Sequence, residues 1–368
     1  MYDNSIVKIA KRDNNSKRKY LVINEKQGKH IPAKPDEALK MFGELADILK
    51  SEYGGEKLLV IGFAETATAI GEAAAIKLGS HYMHTTRENI EGVEYLYFTE
   101  SHSHATEQKL VKNDIDGVIG KIDRVVFVED EVTTGNTIMS IVSLMRNTYG
   151  REINFSVASV LNGMDGKSRA AFDDNGIRLH YLVKTDHSGY TQIAESFRGD
   201  GIYVQAMTQS ARTKYKEIVE PSYIDARRLH RAADYRAACE KMCDDVISRT
   251  GVKSGGKYLV LGTEEFMFPA LWLAAHIEEA GGQALCHATT RSPIEVSSEE
   301  GYPLQKRFEL ASVYDEGRRT FIYNLDKYDS VVILTDASEP SKAGINSIIN
   351  ALDYCGNNDI TLVRWIKN

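Results

Sequence analysis

The chain has 368 residues, of which 42% are hydrophobic, and a formal net charge of −7. That is enough length and apolar material for two packed domains, and the acidic balance argues against tight sequence-independent nucleic-acid binding while leaving RNA contact through a local basic patch open. No apolar run reaches the roughly 18 residues a membrane helix needs, and residues 1–19 are polar and charged rather than a signal sequence, so a soluble, cytoplasmic protein with no membrane partner is expected.

In chain order, Tyr20, Leu21, Val22 and Ile23 form a short apolar strand. The following Gly28-Lys29-His30-Ile31-Pro32 fits a solvated turn when Lys29 and His30 are each taken alone. Leu39, Phe42, Leu45, Ile48 and Leu49 recur at helical spacing behind the acidic Asp36, which predicts a helix over 36–50. Leu58 to Gly62 is a fully apolar strand, and Ala64-Glu65-Thr66-Ala67-Thr68 turns from it into an alanine-rich helix over 69–78. Small residues in such a turn let backbone amides approach an anion. The next strand ends in Thr85-Thr86-Arg87. The guanidinium fork of Arg87 suits an oxyanion, with a surface ion pair as the competing use. Residues 98–108 are polar and without period; their His102 and His104 alternate, which puts both imidazoles on one side of an extended segment, as in a metal pair. Glu100 and Glu107 lie nearby, but no third and fourth ligand has evident spacing.

Arg124 to Ile138 organises the rest. Val125, Val126, Phe127 and Val128 leave no wet face, so this strand belongs in the middle of a parallel sheet. Glu129 and Asp130 end it, and Thr133-Thr134-Gly135-Asn136-Thr137 leads into an apolar-periodic helix carrying Ile138, Ile141, Val142 and Met145. Backbone N–H groups and hydroxyls at that helix start make a phosphate cradle. A carboxylate pair beside it repels phosphate unless it faces sugar hydroxyls or a divalent cation, so the expected ligand is a phosphorylated sugar.

This stretch, with its hydrophobic strand, two acidic residues, two variable positions and T-T-G-x-T, resembles without a gap the 5-phosphoribosyl-1-pyrophosphate (PRPP) motif of the type I phosphoribosyltransferases. The resemblance implies an α/β protein with a parallel-sheet type I phosphoribosyltransferase fold and an N-terminal hood over the acceptor, with Lys29 and His30 on that side. It implies Ala64, Glu65 and Thr66 as the pyrophosphate loop, Arg87 on the pyrophosphate, and a mobile loop in which His102 and His104 assist the leaving group; the metal pair and the solvated loop stay open beside that. Glu65 departs from what an anion site favours, and a metal or a ribose hydroxyl is its alternative partner. Glu129 and Asp130 would hold the ribose hydroxyls. Glu131, Thr133, Thr134, Gly135, Asn136 and Thr137 would bind PRPP, and Mg²⁺ would be held mainly by PRPP with Asp130 available. Beyond the motif, 153–161 and 179–183 read as strands, and Asp186-His187-Ser188-Gly189-Tyr190 as a polar loop whose His187 and Tyr190 are acceptor-pocket candidates.

The last third repeats this pattern. Gly255 to Gly262 lies 200 residues after Gly55 to Gly62 with five of eight positions identical, Thr289-Thr290-Arg291 lies 204 after Thr85-Thr86-Arg87, and Val331 to Asp336 lies 206 after Val125 to Asp130. Three collinear matches predict two related halves, 1–220 and 221–368. The second is degenerate, since A-S-E-P-S-K-A from Ala337 replaces the T-T-G turn and Thr335 the first carboxylate. The string Thr290-Arg291-Ser292-Pro293, with G-K-H-I-P and E-S-H-S-H-A-T-E-Q, is similar to the orotate-phosphoribosyltransferase-like proteins with a C-terminal TRSP domain found in tellurium-resistance operons. That family implies a phosphoribosyltransferase making a nucleoside-like product; the other class is a PRPP- or nucleotide-sensing RNA or protein binder without turnover. Type I enzymes usually dimerise, so either a homodimer or an internal pseudo-dimer is expected, the latter with Arg291 facing the first half's pocket. A solvent-facing Arg291 is the alternative.

Overall fold

A computed structural model of the chain describes residues 2–13, 15, 18–98, 108–150, 152–208 and 213–367. The chain opens with an antiparallel hairpin of β1 (Val7–Lys11) and β2 (Tyr20–Asn24), then α1 (Pro35–Tyr53), whose Phe42, Leu45 and Leu49 are buried as their spacing predicts. Next come β3 (Leu58–Gly62), α2 (Thr68–Leu78), β4 (His81–His84), β5 (Tyr95–Phe98) and β6 (Gln108–Val111). They lead through α3 (Lys112–Val118) to β7 (Arg124–Val132), α4 (Asn136–Tyr149), β8 (Asn154–Asn162), α5 (Gly166–Asp174) and β9 (Ile177–Lys184). After α6 (Tyr190–Ser196), β10 (Ile202–Gln205), β11 (Lys216–Glu220), β12 (His230–Arg231) and α7 (Ala232–Thr250), the pattern resumes. Its elements are β13 (Lys257–Gly262), α8 (Phe268–Glu279), β14 (Gln283–Ala288), β15 (Lys306–Ala311), β16 (Arg319–Tyr323), β17 (Ser330–Thr335), α9 (Lys342–Tyr354) and β18 (Ile360–Trp365).

Two compact units result. The first comprises Met1–Asn4, Leu39–Asp186 and Ile224–Ala237; the second comprises Ser5–Ala38, His187–Tyr223 and Ala238–Asn368. A division at residue 220 separates the sequence halves, whereas the packed units exchange segments. β12 pairs antiparallel with β4 in the first unit. The hairpin packs Ala10, Leu21 and Ile23 against Ile294, Tyr302, Leu304 and Tyr323 in the second.

The first unit's sheet runs β12-β4-β3-β7-β8-β9, parallel apart from β12. β7 is central, and Val125 to Val128 are fully buried, as a strand covered on both faces requires. One boundary differs from expectation. The carboxylates do not end β7: it continues to Val132, because β8 still offers partners at Glu129↔Ser159, Glu131↔Leu161 and Val132↔Asn162. The α4 residues Ile138, Ile141, Val142 and Met145 close the core against Phe127, Phe155 and Phe172.

The second unit's main sheet runs β11-β18-β17-β13-β14, all parallel, beside a β10-β15-β16 sheet. Its registers reproduce the sequence offsets. Gly62 pairs with His84 and Val128 in the first unit, and Gly262 pairs with Ala288 and Leu334 in the second, which are 204 and 206 residues further on. Both units are therefore α/β with a parallel sheet in the same order over four shared strands. All four cysteines are free thiols. Among the described residues, no helix is long and apolar enough to cross a membrane.

Candidate functional site

In the first unit, the C-terminal ends of β3, β4 and β7 converge, which is where an open parallel sheet places its ligand crevice. The β3–α2 turn is pinned at both faces of one residue: the Ala64 N–H donates to Thr85 Oγ1 at 2.8 Å, and Gln108 Nε2 donates to the Ala64 carbonyl at 3.0 Å. Thr85 Oγ1 in turn donates to Gln108 Oε1. The Ala64–Glu65 peptide bond is cis. From the same turn, Thr66 Oγ1 donates to Asp130 Oδ1 at 2.7 Å, so two motifs separated by 64 residues meet. Glu65 is buried; Thr66, Glu129, Asp130 and Glu131 are partly exposed at the strand end.

Burial pushes the Asp130 carboxyl up to about 6; the Thr66 hydroxyl opposes that and the Glu131 charge adds to it. Past Val132 the chain turns through Thr133 and Thr134, both half-buried, to Gly135, which is buried at the N-cap of α4 with φ +70. Thr134 Oγ1 accepts from the Asn136 N–H at 3.4 Å. Asn136 is exposed and Thr137 half-buried at the first turn of the helix. Phosphate oxygens fit such a start, where N–H groups and the helix dipole point outward. Arg87 is half-buried, next to Thr86, which exchanges backbone hydrogen bonds with Lys109. His102 and His104, with Glu100 and Glu107, lie outside the described residues.

The remaining candidates fall in the second unit. Lys29 and His30 are not on a solvated turn: both are buried, and Lys29 Nζ donates to the Glu264 and Thr289 carbonyls, each at 2.9 Å. An ammonium can be buried there because carbonyl acceptors replace its water. His187 Nδ1 lies 2.9 Å from the Tyr20 hydroxyl, its ring stacks on Tyr190 at 4.8 Å, and the Arg18 guanidinium sits 4.6 Å over Tyr20. Tyr190 opens α6 rather than lying in a loop. Arg291 is mostly buried rather than solvent-facing, with Nε donating to Glu264 Oε2 at 2.6 Å. Sequence reasoning missed Gln108, whose side-chain amide fixes Ala64; a glutamine at the edge of a polar loop carries no signal of its own. No group of three or more His, Cys, Asp or Glu suited to a metal occurs among the described residues. The Asp130 carboxylate near the start of α4 nevertheless fits Mg²⁺, which takes one or two protein carboxylates and completes its shell from phosphate and water.

A family model described as "Phosphoribosyl transferase" matches residues 6–188, and one described as "TRSP domain C terminus to PRTase_2" matches residues 227–352. The chain belongs to the phosphoribosyltransferases that carry a C-terminal TRSP domain. Over 131 residues, 35% of this chain and 75% of the relative, the chain is 24% identical to the adenine phosphoribosyltransferase of Geobacter metallireducens. Two of the solved structures that resemble about half of the chain are the following. That of adenine phosphoribosyltransferase from Rhodothermus marinus is 15% identical with a TM-score of 0.38, covering 50% of this chain and 96% of that one. That of the Trypanosoma brucei enzyme in complex with AMP, pyrophosphate and ribose-5-phosphate is 16% identical with a TM-score of 0.36, covering 49% and 77%.

Proposed function

We propose that the phosphoribosyltransferase domain transfers the 5-phosphoribosyl group of PRPP to a nitrogen or carbon of a base-like acceptor, with release of pyrophosphate, in the formation of a nucleoside-like metabolite. The observation that carries this is the Thr66–Asp130 contact beside the Gly135 turn, which puts hydroxyl-binding carboxylates next to a helix start that suits phosphate. Glu129 and Asp130 accept from the ribose 2- and 3-hydroxyls and steady the oxocarbenium-like charge as the anomeric C–O bond breaks. The Thr133 to Thr137 amides and hydroxyls hold the 5-phosphate, and the Ala64 to Thr66 turn with Arg87 takes the pyrophosphate. Asp130, with the phosphate oxygens, would hold Mg²⁺, which would supply charge neutralisation for the pyrophosphate.

Thr134→Ala tests the phosphate assignment. Losing one donor to a charged ligand costs about 1.5 to 3 kcal/mol, so PRPP should bind roughly ten- to a hundredfold more weakly by calorimetry. Unchanged affinity would remove the cradle. The histidine pair is tested separately: with both His102 and His104 changed to Ala, kcat should fall well beyond the loss in PRPP affinity, because leaving-group assistance is felt in the transition state. Equal losses would make them ground-state ligands instead. A PRPP-sensing role without turnover is the second reading, favoured by the altered turn after Asp336; such a protein would pass the binding test and release no pyrophosphate.

A further inference from the structure

The TRSP half repeats the β3–α2 turn at 200 residues' distance, down to its hydrogen bonds. The Glu264 N–H donates to Thr289 Oγ1 at 3.0 Å, as the Ala64 N–H does to Thr85 Oγ1, and the Thr289 N–H donates to the Gly262 carbonyl as Thr85 does to Gly62. The hairpins correspond as well: Thr86 bridges Lys109 on β6, and Thr290 bridges Phe321 on β16. Several side chains differ, Phe266 standing where the first half has Thr66, and one difference adds a charge. Where the first half has Ala64, the second has Glu264, a buried carboxylate.

That carboxylate is 1% exposed. Its Oε2 accepts from Arg291 Nε at 2.6 Å and Arg318 Nη1 at 2.8 Å, and its Oε1 accepts from Ser312 Oγ. Arg291 is the counterpart of Arg87, while Ser312 and Arg318 come from the two ends of the 312–318 turn between β15 and β16. Two guanidiniums and a hydroxyl converging on a pair of oxygens is the donor set of an oxyanion site, and a buried carboxylate without it would be prohibitively costly. The turn is held down from behind too. A Cβ on Gly344 of α9 would lie 2.4 Å from the Ser312 carbonyl, so only glycine allows that approach.

We infer that Glu264 is a built-in anion: its carboxylate occupies the strand-end oxyanion site of the TRSP half, holds the 312–318 turn closed over it, and excludes diphosphate ligands from this half. The site remains intact beneath its own stopper. Removing the charge should therefore open a second site for inorganic pyrophosphate or a related diphosphate. The assignment of the equivalent first-half turn to pyrophosphate is part of the proposed function, and the inference rests on it for the choice of probe.

The test is calorimetric titration of the full chain with inorganic pyrophosphate, comparing wild type, Glu264→Gln and Glu264→Gln with Arg318→Ala. Glutamine removes the charge that holds the side chain to both guanidiniums, so an added anion can displace it from them. The expected result is one more pyrophosphate per chain in the Gln variant than in wild type, with the gain abolished when Arg318 is also removed. No extra site, or an extra site that survives loss of Arg318, overturns the inference. Wild-type stoichiometry reports the first half by itself: if it is zero, the pyrophosphate assignment of that half fails, while the increment at Glu264 is still read. Should the Gln variant be too unstable for calorimetry, its melting temperature is measured instead. A rise of about 2–4 °C with pyrophosphate over matched sodium chloride supports the inference, and no rise overturns it.

Discussion

Gly135→Ala is expected to destabilise the phosphoribosyltransferase domain by roughly 2–5 kcal/mol and to abolish PRPP binding. Two costs add. The residue sits at φ +70, where a side chain costs about 1–2 kcal/mol. A Cβ there would also lie 2.5 Å from Cε1 and Cζ of Phe172, a ring buried in the first unit's core, and forcing such a core apart costs about 1–3 kcal/mol. Either relief, turning the backbone or pushing the ring, moves the Thr133 to Thr137 turn. Thermal denaturation should show a drop of roughly 5–15 °C. A variant melting within a degree of wild type and still binding PRPP would show that neither the turn nor the ring position matters.

Asp130→Asn should lose function and gain stability. The folded carboxyl titrates near 6 instead of its ordinary 3.8, chiefly because it is withdrawn from water. A carboxyl whose folded pKa is raised supports folding while protonated. Its contribution is complete below pH 3.8, is lost as pH rises towards 6, and above that the ionised group costs on the order of 3 kcal/mol. Asparagine never carries that charge and can still accept from Thr66. At pH 8 the variant should melt several degrees above wild type, with the gap closing by pH 4, while PRPP affinity falls roughly ten- to a hundredfold. Equal PRPP affinity in the two proteins would take Asp130 out of the site. An Asn variant that melts lower at pH 8 would mean the carboxylate is structural.

The parts of the fold legible in the sequence are those where one physical cause acts alone. β3 and the Val125 to Val128 stretch of β7 are apolar because both faces are covered, and the start of α4 shows as T-T-G before an apolar-periodic helix. The internal repeat was readable as offsets because strand registers constrain residue spacing, and the pairings of Gly62 and Gly262 fall on those offsets. Long-range contacts were not readable. Lys29 looked like a turn lysine, yet it is buried because Glu264 and Thr289, more than 230 residues away in sequence, present two carbonyls. The exchange of segments 5–38, 187–220 and 224–237 between units is equally non-local: β12 is two residues long and shows no periodicity until β4 provides its edge. The carboxylates looked like the end of β7 because their charge breaks the apolar run, whereas the ladder with β8 follows the backbone and continues beneath them.

Turnover of PRPP is measured directly. Wild-type protein is incubated with PRPP, Mg²⁺ and a panel of purine, pyrimidine and smaller heterocyclic bases, and released pyrophosphate is followed alongside Thr134→Ala. Phosphoribosyl transfer predicts pyrophosphate release that depends on at least one base, with equimolar ribosylated product, and its loss in the variant. PRPP binding by calorimetry with no base-dependent release across the panel would contradict it and leave the chain a PRPP-binding protein without transferase activity.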